Sequence, residues 1–516
     1  MSKLKGVIAA GNAHTAEAGA EVLKAGGNAF DAAVAAAWMT FVAEPTMTSA
    51  GGGGFLTGFT SAGKPFAIDF FTQTPKVKKP EHELNFYPVE IDYGGSTQIF
   101  HAGLASAAVP GCVAGLFHIH KRLGKMPFHE LVQPALAVAK KGMLVNDFIH
   151  SCFLLVGPAV TSLPSGKALF QPQGDYLKPG DYWTMPKFAD TMEYLAKHGP
   201  DEFYKGEIAH KIVKDCAEKG GYLTTADFEE YQVVERHPIR IPYRNYEVCT
   251  NPPPSAGGSL VAFTLKMLEQ EPLWKYAFGS PEHLNALTNA MKITYRSRAE
   301  RFDSHIHHHK VTDYFFDKEY LAKQQSQMPS KKPFKLGSTT HFSVADAENN
   351  IASITTSLGE GSGYAAYGVM MNNMLGEEDL NPGGFHLWPT DHRITSMMSP
   401  TIVLKDGRPV LATGTGGANR IRSVIAQVIS NYIDFKMHDM EAVNAPRIHW
   451  EAGKLDIEPG FEPYSISSID TSEALDIVQW DRKSFYFGGA HSIVIDDYGE
   501  LRPLGDERRT GAMQIV

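Results

Sequence analysis

The run from Ala32 to Phe41 carries no charge and is apolar on nearly every side of a helix, yet it is too short to cross a bilayer. Such a helix belongs between layers of other structure rather than on a surface. Asn28 with Asp31 marks its start. Before it, Thr15 reads as the N-cap of a first helix and Gly26 as its terminating C′ residue, with Ala16, Ala20, Val22 and Leu23 as the apolar face.

What covers that helix is read from the hairpins. Phe55 to Thr60 and Pro65 to Phe70 flank Ser61-Ala62-Gly63, and His341 to Val344 and Ile351 to Thr356 flank Glu348-Asn349-Asn350. Thr401 to Leu404 and Pro409 to Thr413 flank Asp406-Gly407, while Ser492 to Ile495 and Leu501 to Leu504 flank Tyr498-Gly499. Between these last pairs Ile421, Val424, Ile425, Val428, Ile429 and Ile433 recur at helical spacing, a stripe expected to face a sheet. Hairpins packed by helices from separate parts of the chain predict a layered α/β (α+β) fold on antiparallel sheets. No repeat or long linker divides it, so one domain is expected from two segments, 1–338 and 339–516.

Composition narrows the function. A chain of 516 residues, 43% hydrophobic, can bury one large core or two smaller ones. Its formal charge of -9 has no basic tract beyond Lys331, Lys332 and Lys335, which argues against a nucleic-acid partner and for small molecules or peptides. Cys112, Cys152, Cys216 and Cys249 lack metal-type spacing and read as reduced, buried thiols. Lys3 and Lys5 lead straight into the apolar strand Gly6-Val7-Ile8-Ala9-Ala10 without an h-region, so a cytoplasmic chain with no membrane partner is expected. The histidines of His305-Ile306-His307-His308-His309 could hold a divalent ion if gathered. They follow the amphipathic stretch Ala286 to Phe302 and precede another helix-like run, so a solvated loop is expected, and no metal or cofactor is assigned.

The chemistry-bearing segment is Gly337 to Ser343. It opens a strand with Thr339 and Thr340 directly after a breaker-rich, cationic linker containing Pro329, Lys331, Lys332, Pro333 and Lys335. Paired threonines at a strand start are by themselves ordinary β-propensity. A threonine hydroxyl gains nucleophilic use if cleavage between Ser338 and Thr339 gives it a free α-amine as base, a group with a pKa near ~8.

Ordered motifs weigh for the second reading. They run from Leu23-Lys24-Ala25-Gly26-Gly27-Asn28-Ala29-Phe30-Asp31-Ala32-Ala33-Val34 through Gly51-Gly52-Gly53-Gly54-Phe55, Val109-Pro110-Gly111 and Pro252-Pro253-Pro254-Ser255-Ala256-Gly257-Gly258 to Thr339-Thr340-His341. Asn372-Asn373, Ser399-Pro400-Thr401, Gly414-Thr415-Gly416-Gly417 and Asn444-Ala445-Pro446-Arg447 follow. In these motifs, from about Gly6 to the C-terminus, the chain resembles the γ-glutamyltransferase family of N-terminal-nucleophile hydrolases. The resemblance implies a four-layer αββα sandwich and a precursor that cuts itself between Ser338 and Thr339, leaving a heterodimer of its own fragments. It also implies Thr339 as nucleophile, Ser357 in the place of a second, activating threonine, and the amides of Gly417 and Ala418 as the oxyanion hole at a helix entry. Thr340 and Thr355 are expected to be structural supports.

The resemblance weakens where substrate is recognised. The family's transpeptidases place an arginine after the strand Phe66 to Phe70, and this chain has Phe71. The family's aspartate for the substrate ammonium lines up with Glu377, its glutamine with Met374, its asparagine after the second threonine with Gly359, and its Ser-Ser pair with Ser396-Met397. The segment from Glu377 to Arg393 is shorter than in members with a lid and carries the apolar Phe385 and Trp388. Two enzymatic readings follow: hydrolysis or transfer of a γ-glutamyl or related acyl group, and an acylase for a non-glutamyl group like the family's cephalosporin acylases. A non-catalytic, unprocessed binding protein is opposed by Thr339, Ser357 and the glycine turn.

Overall fold

The computed structural model describes residues 4–92, 97–308, 310–324, 338–470 and 476–516. The linker from Pro329 to Lys335, Gly337 and His309 lie outside them. Helix α1 spans Ala13–Lys24 and α2 spans Ala29–Ala43. The Asn28 side chain accepts from the amides of Phe30 and Asp31, and Asp31 accepts in return from the Asn28 amide at 3.0 Å, the reciprocal cap the sequence predicts. Every residue of α2 is buried. The first helix starts earlier than expected. Asn12 caps it, and Thr15 sits inside the first turn, where its hydroxyl donates to Glu44 at 2.9 Å instead of to its own helix.

Thirteen strands form the two main sheets: β1 Gly6–Ala10, β2 Gly53–Phe59, β3 Pro65–Phe70, β4 Val234–Arg236, β5 Ile239–Tyr243, β6 Tyr246–Thr250, β7 Thr340–Asp346, β8 Ile351–Ser357, β9 Thr401–Lys405, β10 Arg408–Thr413, β11 Ser492–Ile495, β12 Leu501–Leu504 and β13 Ala512–Ile515. The first sheet runs β13-β1-β7-β8-β2-β3-β4 and the second β12-β11-β10-β9-β6-β5, with antiparallel pairing throughout both. All four predicted hairpins are present. Helices α1 and α2 lie on the outer face of the first sheet. Between the sheets Val7, Phe59, Ala345, Ile351, Ile402, Leu404, Ala412 and Ile493 interdigitate. Helix α3, Ala256–Leu268, covers the second sheet and packs on α4, Pro281–Ser297, and α5, Arg420–Ile433, completing an αββα sandwich.

The two-residue period of β7 decides where chemistry can occur. Phe342 and Val344 join the core under α1 and α2, while Ala345 joins the core between the sheets. Thr339, His341 and Ser343 therefore share the face turned toward the second sheet. In the register His341 stands opposite Thr355 and Ser343 opposite Ser353, so β8 offers Ser353, Thr355 and Ser357 to the same side.

Helix α5 differs from its expected single stripe, since all of it is buried. The strand Ile448–Glu451 covers its polar side. Gln427 exchanges two hydrogen bonds with the Ile448 backbone at 2.9 and 3.0 Å, and Ser423 meets His449 at 2.8 Å. The polar flank can be buried there because the strand gives Gln427 and Ser423 partners.

All four cysteines are free and buried. Among the described residues no helix is long and apolar enough to cross a membrane, and no three His, Cys, Asp or Glu side chains are grouped to hold a metal. His305, His307 and His308 are exposed, with His307 edge-on to His392.

Three histidines are held neutral inside the protein. Burial pushes His283 and His491 down to about 4, and burial with neighbouring His491 holds His341 well below the usual range. Unfolded, each binds a proton near ~6.5, so below that pH the unfolded state holds more protons. Their contribution is complete above ~6.5 and lost as pH falls toward 4, at roughly 1.4 kcal/mol per pH unit per histidine. Glu44, whose carboxyl burial raises, works in the opposite direction as a single group. The urea midpoint should fall clearly from pH 7.5 to pH 5.5 at constant m-value; equal midpoints would contradict buried neutral histidines.

Candidate active site

Thr339 stands one residue before β7 and is buried. Its backbone carbonyl accepts from the Arg509 guanidinium at 2.5 Å and passes so close to Gly416 that a Cβ there would lie 2.0 Å from it. Burial pushes Arg509 down to about 10, so it remains charged at neutral pH. The segment that carries Arg509 is pinned by a buried ion network, Arg447 to Asp506 at 2.6 Å and Arg508 to Glu458 at 2.5 Å. The Asp506 carboxyl sits at about 2 because the attraction of Arg447 and Arg508 outweighs the burial that opposes it. On the helix side of β7, Thr340 donates to Glu44 at 2.5 Å, and on the opposite face His341 bonds Thr355 at 2.8 Å and Ser343 at 3.0 Å. Thr340 and Thr355 are thus spent on support.

The Ser357 hydroxyl is the hub. It accepts from the Gly359 amide at 2.9 Å, lies 3.4 Å from the Thr339 Oγ1 that donates to it, and donates to the carbonyl of Ser338 at 2.6 Å. One oxygen therefore touches both the expected nucleophile and the carbonyl it would attack. Ser357 can sit there because β8 pairs with β2 and Gly52 lets the chain pass close; a Cβ on Gly52 would meet the Ser357 carbonyl at 2.3 Å.

The glycine turn expected to supply oxyanion donors lies just before α5. Gly417 has φ 122° and Ala418 φ 48°, so alanine keeps the left-handed backbone that glycine adopts more easily. Among the described residues neither amide is taken by a protein acceptor. Ala418 lines the same cavity as Thr339.

That cavity is lined by Phe71, Ser338, Thr339, Ser357, Met374, Glu377, Asp379, Ser396, Met397 and Ala418 among others. With the chain uncleaved it holds about 30 Å³, room for a single water. Phe71 is fully buried and stacks on Phe55 at 5.3 Å. No lysine or arginine lines it among the described residues. Arg393 turns its guanidinium to the Phe71 carbonyl, to Tyr231 at 2.7 Å and to the Gln232 carbonyl at 2.5 Å, and Arg420 bonds the Tyr486 carbonyl at 2.9 Å. Phe385 and Trp388 pack outside it, against Phe86 and Tyr222.

Gly359 and Glu377 fit together sterically. A Cβ on Gly359 would lie 2.1 Å from the Glu377 carboxylate and 2.1 Å from the Asn373 amide oxygen. The longer acid reaches into the space that a side chain at 359 would take. Sequence reasoning missed Arg509, which lies 170 positions from Thr339, and Glu360, which accepts from the Ser338 hydroxyl at 2.8 Å. It also missed what the asparagine pair does: Asn372 bonds the Gly51 carbonyl at 2.7 Å and Ala108 on both backbone groups, holding the loop after β8 against the glycine run before β2.

Ala418→Gly should remove left-handed strain of about 1 kcal/mol while keeping the amide in place. Thermal unfolding should shift upward by a few degrees with turnover preserved, whereas Ala418→Val should lose both. A destabilised Ala418→Gly protein would show that the turn is not strained.

The gamma-glutamyltranspeptidase family model matches residues 15–516. The chain is 33% identical to the glutathione hydrolase proenzyme of Escherichia coli (strain K12), over 98% of this chain and 90% of that protein. It is 30% identical to the acylase ACY 1 proenzyme of Pseudomonas sp. (strain SE83), over 96% and 91% of the respective lengths. Among solved structures, cephalosporin acylase from Bacillus halodurans superposes with a TM-score of 0.87 over 99% of this chain and 96% of that one, at 24% identity, a likeness of fold. With its αββα layers, its Thr339 start to a central strand and a family match along nearly its whole length, the chain belongs to the gamma-glutamyltranspeptidase family of N-terminal-nucleophile hydrolases and acyltransferases.

Proposed function

We propose that the chain matures by cutting itself between Ser338 and Thr339, then hydrolyses or transfers an acyl group bearing an amino function, γ-glutamyl or a close relative. The observation that carries this reading is the Ser357 hydroxyl, 2.6 Å from the Ser338 carbonyl oxygen and 3.4 Å from the Thr339 hydroxyl. Attack by Thr339 Oγ1 on the Ser338 carbonyl carbon forms a C–O bond. The Ser338–Thr339 C–N bond then breaks, and the hydroxyl proton ends on the freed amine. Water hydrolyses the ester to a Ser338 carboxylate and regenerates the hydroxyl.

In the mature enzyme the Thr339 α-amine accepts the hydroxyl proton as Oγ1 attacks the donor amide. The Gly417 and Ala418 amides face the developing oxyanion, and the donor's amine leaves protonated. Water or an acceptor amine then takes the acyl group from the ester. The two fragments stay together as a heterodimer, because β7 and β8 of the second lie between β1 and β2 of the first. The names of the relatives in Escherichia coli and Pseudomonas, both proenzymes, support maturation by cleavage.

The cavity lining bears on the acyl group. Glu377 and Asp379 are the charged side chains among its described lining residues, which favours an ammonium over a carboxylate. A γ-glutamyl group brings both. The acylase reading is favoured by the walls of Phe71, Met374 and Met397, which replace polar partners with apolar surface.

Anilides of γ-aminobutyryl, γ-glutamyl and glutaryl groups separate these effects. The γ-aminobutyryl compound, which lacks the α-carboxylate, should match or exceed the γ-glutamyl one in kcat/KM, and the glutaryl compound should be poorest. Acid-quenched reactions should carry the acyl ester on the peptide that begins at Thr339. A γ-glutamyl preference of about a hundredfold over γ-aminobutyryl, worth roughly 2.7 kcal/mol, would mean that a cation reaches the carboxylate after all.

A further inference from the structure

Ser338 is gripped at two points by the end of one strand. Its carbonyl accepts from Ser357 at 2.6 Å, and its hydroxyl donates to Glu360 Oε2 at 2.8 Å. Glu360 is fully buried and follows Ser357 by a turn in which Gly359 and Gly361 take φ of 67° and 83°. Its amide donates to Asn373 at 2.8 Å, so the backbone that presents the carboxylate is itself tied down.

Resting on the self-cleavage reading above, we propose that Glu360 is a positioning residue for that cleavage, acting through the Ser338 hydroxyl. A residue held only by its carbonyl can still rotate about its flanking bonds. A second hold on its side chain fixes which face of the carbonyl meets Thr339 Oγ1. The attack is intramolecular and between adjacent residues, so its rate depends on the fraction of time spent in the reactive geometry. Glu360 transfers no proton and forms no bond in this role. Once the C–N bond is broken its task is complete.

Cleavage is followed by intact mass on freshly made protein, with Ser338→Ala, Ser338→Thr, Glu360→Gln, Glu360→Ala and the Ser338→Ala/Glu360→Ala double variant. Ser338→Ala and Glu360→Ala should each slow cleavage by about tenfold or more, the effect of losing a buried hydrogen bond. Ser338→Thr and Glu360→Gln, which keep a donor and an acceptor, should restore most of the rate. The double variant should be no slower than the slower single one, since both remove the same contact. Ser338→Ala removes one small hydroxyl and decides the matter even where Glu360→Ala fails to fold. Ser338→Ala cleaving at the wild-type rate, or single effects that multiply in the double variant, would overturn the role of Glu360 alone. Wild-type protein that remains whole would overturn the self-cleavage reading and this role with it.

Discussion

The strand Thr340–Asp346 is bonded along both edges, to Gly6–Ala10 on one side and Ile351–Ser357 on the other, and the site depends on that double ladder. A strand held on both edges cannot slip by a residue without turning Phe342 and Val344 out of the helical core. Its register therefore fixes Thr339 on the face toward the second sheet, and the register of its partner brings Ser357 to the same face. No loop between β7 and β8 has to move to bring the two hydroxyls together. Arg509, Gly416 and Gly52 then tighten the arrangement from three remote parts of the chain.

Against this rigid frame the residues expected to depart from the family pattern fit one another. Glu377 is longer than the family's aspartate, and Gly359 is the residue that leaves room for it. Phe71 occupies the expected arginine position with its ring stacked on Phe55, while Arg393 binds the Phe71 carbonyl from outside the cavity. Ala418 keeps the left-handed turn and its amide. In the proposed function the reaction machinery is kept while the acyl pocket differs in charge, which is how a specificity difference within one fold arises.

Local structure was legible in the sequence where its cause is local. The Asn28 and Asp31 cap, the four hairpins and the all-apolar helix each follow from residues within one element, and the structure shows them. Thr339, Ser357, Glu377, Ser396, Met397, Phe71 and Ala418 were found through pattern and resemblance, and they gather around one cavity. The misses share another cause. Thr15 looked like a cap because its true partner, Glu44, lies 29 positions away. Helix Arg420–Ile433 reads as one apolar stripe because the strand that covers its other side comes later in the chain. Arg509 carries no local signal at all, being one arginine among several near the C-terminus.

The central claim is that Thr339 is made into an N-terminal nucleophile by cleavage of its own chain. Intact-mass analysis with N-terminal sequencing of purified wild-type and Thr339→Ala protein tests it most directly. Two wild-type fragments are expected, the smaller beginning at Thr339, together with a single, inactive Thr339→Ala chain. A wild-type chain that stays whole and still turns over an acyl-amide at full rate would contradict the account.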